Sequence, residues 1–286
     1  NSVDRSRDIF LKLFNSVGCA NAFKTKQLQW GWNVQYLPDL MQWANENSLP
    51  VRGHTLIWPG KDDTNNHLPD QGEYDILTYV KAVENNSTDP ALVQDLRNQI
   101  DYVLSYWASE FALYEWDVVN EPRSNHRVQD ALDGPSEMAT WFDIAETNVP
   151  NPSECKLMLN EFGVISAAPT GTQYDTYRDA YMGNINATLN NGGRLDRIGF
   201  QSRMKRGHLT PELMYDRLDE FSTTYPGMEM VGTEFEVVES SFHNFFPDEY
   251  ERAEITEETM TAYFCHPEVT GLNQWTYMRD SANPNA

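Results

Sequence analysis

Cysteine is scarce. Cys19, Cys155 and Cys265 are widely spaced and form no CxxC pair. Neither a structural zinc site nor a dense disulfide framework is indicated, and a single bridge with one thiol left over stays open. No apolar run approaches 18 residues, so no membrane-spanning helix is expected. Basic residues are few, 21 against 43 acids, for a formal charge of −22. Contacts to phosphate need clustered Lys and Arg, so bare nucleic acid is not an expected partner. An anionic membrane surface is disfavoured for the same reason. No signal peptide opens the chain, although a mature fragment of a secreted protein would read the same way.

The 286 residues suffice for one large domain with a sizeable core, and residues 1–286 are read as a single catalytic unit. Trp, Tyr and Phe number 8, 14 and 13. Most should fill the core, and some are available to stack on sugar rings. There is no internal repeat and no low-complexity linker.

Short apolar runs alternate with helical patterns. The expected strands are Phe14–Cys19, Val51–Trp58, Leu113–Asn120, Leu157–Asn160, Arg197–Ser202, Met228–Glu234 and Gly271–Tyr277. Between them Val34–Asn47 places Leu37, Leu40, Met41 and Ala44 on one face, and Pro90–Glu110 carries Leu92, Leu96, Ile100, Val103, Leu104 and Trp107 at helical spacing. Ser136–Asn148, Thr172–Asn190, Pro211–Thr223 and Thr256–Cys265 are further helices, and Asn1–Leu13 reads as an opening one. Such alternation means a mostly parallel sheet, doubly wound or closed as a barrel. A doubly wound sheet should carry a Gly-rich phosphate loop after its first strand, and none is present. The expectation is therefore α/β, a (β/α)8 TIM barrel, with only seven strands in view and the first of the eight absent from this chain.

Several strands end in polar residues, and two end in an acid. "WDVVNE" closes on Glu121 and "MVGTEFEV" carries Glu234. A random Glu is usually solvated or ion-paired. Two of them at strand ends suit glycosidic bond cleavage, where one carboxyl protonates the leaving oxygen and the other attacks the anomeric carbon or activates water. Burial and mutual repulsion would keep one protonated.

The motifs resemble glycoside hydrolase family 10, whose best known members are endo-β-1,4-xylanases. "WDVVNEP" looks like the acid/base motif and "GTEFEV" like the nucleophile strand. "RGHTLIW", "LMLNEFG", "RIGFQSRM" and "FNSVGCANAFK" are similar to other strand motifs of that family, in family order. The resemblance implies a retaining double displacement with Glu121 as general acid/base and Glu234 as nucleophile, their carboxyls roughly 5 Å apart. It implies that Asn120 holds the 2-hydroxyl of the attacked sugar, with His54 and Gln201 lining that subsite. Asn21 and Lys24 would contact the next sugar outward, and Trp58 and Trp275 would form aromatic walls. Without the motifs, His54, Trp58 and Trp275 would read as core residues and Lys24 as surface. Asn160 and Glu161 read equally well as loop supports.

The chain also departs from the family pattern. Ala20 stands where a Glu is usual, Glu236 replaces an Asp, and Pro59 stands at a frequent His. Arg203 replaces a His, with a permanent charge available to the Glu234 carboxylate or to an anionic substituent. The second tryptophan expected after the last strand is not evident in "MRDSANPNA". These changes touch sugar-binding positions more than the two acids. Xylan is the family's substrate. A second β-linked polysaccharide, anionic or marine, with charged groups met by Arg203, Lys205 and Arg206, is the alternative. A carbohydrate-binding barrel that has lost turnover is another. The histidines at 54, 67, 126, 208, 243 and 266 show no metal-ligand spacing, so no metal or organic cofactor is expected. A secreted monomer, extracellular or periplasmic, is expected from the family.

Overall fold

A computed structural model describes residues 2–276 apart from 32, 33, 65, 206 and 208, with side chains from residue 5 onward. Arg206, His208, Tyr277 and the "MRDSANPNA" tail lie outside the described residues. In chain order the elements are α1 (Ser2–Leu13), β1 (Val17–Gly18), α2 (Thr25–Trp30), α3 (Leu37–Glu46), β2 (Val51–Ile57), α4 (Ile76–Asn85), α5 (Pro90–Glu110), β3 (Glu115–Asn120) and α6 (Arg127–Asp130). There follow α7 (Glu137–Asn148), β4 (Lys156–Glu161), α8 (Gln173–Asn190), β5 (Arg197–Phe200), β6 (Arg203–Met204), α9 (Pro211–Thr224), β7 (Glu229–Val237), α10 (Glu249–Cys265) and β8 (Val269–Gln274).

Every ladder is parallel. The strands run β1-β2-β3-β4-β5-β7, and β8 pairs the far side of β7. The two-residue β6 continues along β7 where β5 stops, pairing Arg203 with Glu236. β5 and β6 are thus one barrel position, broken at Gln201 and Ser202. Ser202 takes a left-handed φ of 58° at the break.

The strands form because their residues are buried on both faces, as parallel strands under helices must be. Every residue of β2 and β3 is buried. Helices cover the outside and start at defined caps. Asp89 accepts from the Ala91 N–H with Pro90 next, and Thr210 accepts from the Leu213 N–H ahead of Pro211. Asp248 and Glu251 close a capping box on α10. α5 turns Leu96, Ile100, Val103, Leu104 and Trp107 to the sheet.

Gly53 shows how closely neighbouring elements pack. A Cβ there would lie 2.3 Å from Trp116 Cε3 and 2.6 Å from Leu113 Cδ1. Gly53→Ala should therefore cost about 2–3 kcal/mol through overpacking. The expected result is a thermal midpoint lower by roughly 5–10 °C; an unchanged midpoint would show that the Trp116 ring gives way.

The lower barrel interior is charged but paired. Arg52 bonds Asp117, and its Nε lies 3.0 Å from Glu115. Arg197 bonds the other Glu115 oxygen and reaches Glu229 at 2.6 Å. Between β1 and β8 no ladder forms among the described residues. The two edges approach at Ser16 and Asn273, 3.4 Å apart. An opening of about 610 Å³ lined by Phe10, Val17, Cys19, Leu272 and Trp275 lies between them. Seven strand positions are curled as in a closed eight-stranded barrel, and this opening is where the eighth position falls.

Candidate active site

The ends of the strands bring the chemistry together. Nine of the ten residues expected at the site line one cavity of about 330 Å³: Lys24, His54, Trp58, Asn120, Glu121, Gln201, Arg203, Glu234 and Trp275. Phe162 and Lys205 complete its walls. The tenth, Asn21, stands behind Lys24, whose Nζ donates to Asn21 Oδ1 at 2.9 Å.

Glu121 follows the last residue of β3 with a left-handed φ of 57°. Its N–H donates to the Asn160 carbonyl at 2.8 Å, and its own carbonyl accepts from Asn125 at 2.9 Å. This backbone turns the side chain out of the strand into the cavity. Oε1 accepts from Gln201 Nε2 at 2.6 Å, and Oε2 from Asn125 Nδ2 at 3.1 Å. Burial raises the carboxyl above its ordinary range. The Gln201 hydrogen bond works against that rise, the charge of Glu234 adds to it, and Lys24 and Arg203 oppose it.

Glu234, on β7, has a different environment. Oε2 accepts from Arg203 Nη2 at 2.9 Å and Nε at 3.2 Å, while Arg203 Nη1 donates to Glu236 at 3.2 Å. Oε1 has the long 3.3 Å contact from Asn160 Nδ2. The Arg203 guanidinium also lies 4.5 Å over the Trp275 ring. All three of its nitrogens are engaged with protein carboxylates. Its position here is at the carboxylate of Glu234, one of the roles the sequence left open for it beside an anionic substituent.

Asn160 links the two strands bearing the acids. Its Nδ2 is shared among Asn120 Oδ1 at 3.0 Å, Asp117 Oδ2 and Glu234 Oε1, and its Oδ1 accepts from Thr233 at 2.7 Å. This orients the Asn120 amide. Asn120 Nδ2 is buried and has no protein partner, leaving a donor at the cavity wall. A buried donor left unpaired is costly unless a ligand or water satisfies it.

His54 Nδ1 lies 2.6 Å from Asp117 Oδ2. Burial holds the imidazole well below its ordinary range, and Lys24, Arg52 and Arg203 reinforce this against Glu234. With Asp117 accepting, Nδ1 carries the proton and Nε2 is left as an acceptor. Burial raises Asp117 to about 6, while Arg52 and Asn160 draw it down. Burial also lowers the Lys24 ammonium, which the Glu234 and Glu121 charges oppose.

The aromatic walls differ from expectation in one respect. Trp58 is stacked at 3.5 Å by the His67 ring and has Lys24 Nζ 4.7 Å from its centroid. Trp58 and Trp275 each have a cation over the ring, so neither is a bare platform. Asn125, Asp117, Thr233 and His67 were missed from the sequence. Asp117 had a signal, a charge between Trp116 and Val118 in a buried strand run. Among the described residues no group of three or more His, Cys, Asp or Glu side chains is placed to hold a metal ion.

A parallel barrel with two dissimilar carboxyls at its strand ends, facing one cavity, places the chain in the class of barrel glycoside hydrolases. The chain belongs to glycosyl hydrolase family 10, whose model matches residues 1–283. It is 23% identical over 223 residues to endo-1,4-beta-xylanase A of Halalkalibacterium halodurans, covering 71% of this chain and 50% of that protein. It is 25% identical over 287 residues to endo-1,4-beta-xylanase 3 of Arabidopsis thaliana, covering 96% and 33%. The chain thus spans half or less of the length of these curated relatives. Its fold is similar to that of xylanase 10B from Thermotoga petrophila, solved in complex with xylobiose, with a TM-score of 0.72 at 20% identity. That match covers 96% of this chain and 77% of the other.

Proposed function

We propose that this chain is the catalytic domain of a retaining endo-β-1,4-xylanase. One observation carries the reading. Two buried carboxyls share a cavity, one raised by burial and held by neutral amides, the other set against a permanent cation. That asymmetry suits one acid and one nucleophile.

In the first step the Glu121 proton passes to the glycosidic oxygen as its bond to the anomeric carbon breaks. The Glu234 carboxylate forms the new bond to that carbon. Oε1 is the attacking atom, because Oε2 is engaged with Arg203 on two hydrogen bonds. In the second step water attacks the same carbon and gives its proton to Glu121, and Glu234 leaves as a carboxylate. Two inversions give net retention. The free Asn120 Nδ2 donates to the sugar 2-hydroxyl, a contact that strengthens as charge develops on the ring. Xylan as substrate rests on the names of the relatives, and a polymer of that size places the work outside the cell.

The test is a screen of purified protein on xylans, mixed-linkage β-glucans and uronic-acid-bearing or sulfated polysaccharides. Reducing ends report turnover, and proton NMR reports the first anomer released. Internal cleavage of xylan giving the β-anomer first is expected. Saturable binding to xylan without release of reducing ends would instead identify a carbohydrate-binding barrel.

A further inference from the structure

Glu161 is a buried titratable group to which the proposed mechanism gives no role. It ends β4 and is fully buried. Its two carboxyl oxygens face two backbone donors. Oε2 accepts from the Arg123 N–H at 3.0 Å, and Oε1 from the Phe162 N–H at 2.9 Å. The Arg123 guanidinium stands 3.6 Å from Oε1 and donates to the Phe162 carbonyl at 3.1 Å. Stacking 3.7 Å over the Tyr177 ring and 4.4 Å over Phe162 holds that guanidinium in place.

The location of these contacts gives them a consequence. Arg123 lies two residues beyond Glu121, in the turn that carries the acid out of β3. That turn begins with the left-handed backbone of Glu121, a conformation a non-glycine residue keeps only where its surroundings enforce it. One enforcing contact is the Glu121 N–H on the Asn160 carbonyl. The Glu161 carboxyl on the Arg123 N–H is the second. The same residue's carbonyl accepts from the Gln201 N–H at 3.0 Å, and the Gln201 side chain is the donor on Glu121 Oε1. One buried residue therefore fixes both the backbone under the acid and the amide that points at it.

We infer that Glu161 is a positioning residue for the general acid: it holds the turn from Glu121 to Arg123 and the Gln201 donor so that the Glu121 proton meets the leaving oxygen. The inference rests on the reading of Glu121 as acid/base. Burial pushes the Glu161 carboxyl up, while the Arg123 charge and the two N–H donors, which call for the ionised form, draw it back. Both oxygens accept a hydrogen bond, and this geometry requires two acceptors. An amide offers one, and its NH2 would confront one of the two backbone donors.

The test separates acid catalysis from general damage by the leaving group. Two aryl β-glycosides of xylobiose are compared in the full chain. Dinitrophenolate departs without a proton, whereas phenolate needs one. For Glu161→Gln, kcat/KM on the phenyl substrate should fall about 100-fold, while on the dinitrophenyl substrate it should fall less than about threefold. Glu161→Asp keeps two acceptor oxygens on a shorter arm, and its phenyl rate should lie above that of the amide variant. A thermal melt checks folding, and if the amide variant does not fold, the Asp variant carries the same comparison against wild type. Equal losses on both substrates, or no loss on either, overturn the inference. A wild-type protein that cleaves neither substrate refutes the glycosidase reading instead.

Discussion

Glu234→Ala should lower xylan hydrolysis by roughly 10⁵-fold, the scale on which removal of a covalent nucleophile acts. By transition-state arithmetic that is about 7 kcal/mol. The reason is specific to position. Among the described residues of the cavity lining no other carboxylate can take over, because Glu121 is the one further acid there and is oriented by Gln201 and Asn125. The fold should survive. Arg203 loses one partner but keeps Glu236 and the Trp275 face. The loss should also appear without turnover. An activated 2-deoxy-2-fluoro glycoside of xylobiose should add one glycosyl mass to the wild-type protein and none to the variant. Adduct formation in the variant, or hydrolysis near the wild-type rate, would assign the nucleophile elsewhere.

The strands that carry these groups were readable because buried parallel strands are apolar runs, and their ends showed as a change to Asn, Glu or Gln. Six of the seven expected strands fall within a few residues of their observed bounds. β1 is shorter than expected, two residues within Phe14–Cys19, because among the described residues only its β2 side is paired. α10 begins at Glu249, seven residues before the expected start, since its first turn is acidic and hides the apolar period. The Asp248–Glu251 capping box was the overlooked sign. α4 was missed although Ile76, Val80 and Val83 recur at helical spacing behind an Asp75 cap.

At the site, motif order picked out nine residues that share one cavity. The pairing of Gln201 with Glu121 could not be read, because Gln201 arrives from the end of β5 and no spacing rule joins the two, while Asn125 lies only four residues on in the same turn and was overlooked. The role of Arg203 was open for the same reason. Only the continuation of β5 as β6 beside β7 shows that its guanidinium lies between Glu234 and Glu236. Sequence carries the identity of such residues well and their pairing across the barrel poorly.

Glu121→Ala should show a different pattern from the nucleophile variant, and the difference tests the assignment of roles. On xylan, whose leaving alcohol needs a proton, the rate should fall about 10³- to 10⁴-fold. On a dinitrophenyl glycoside the first step needs no acid, so kcat/KM should change little. The second step loses its base, so the glycosyl-enzyme should accumulate and KM should fall with kcat. Azide, an anion that attacks without a base, should then restore turnover and yield a β-glycosyl azide. The same reasoning fixes the pH dependence. Burial raises the Glu121 carboxyl, so its acid form survives to higher pH than an ordinary Glu. Wild-type kcat/KM on xylan should decline as pH rises through that raised value, because the deprotonated group cannot donate. In the Ala variant acting on the dinitrophenyl substrate this alkaline decline should disappear. A decline that persists there would have to come from another group, and Glu121 would no longer account for the alkaline limb of the profile.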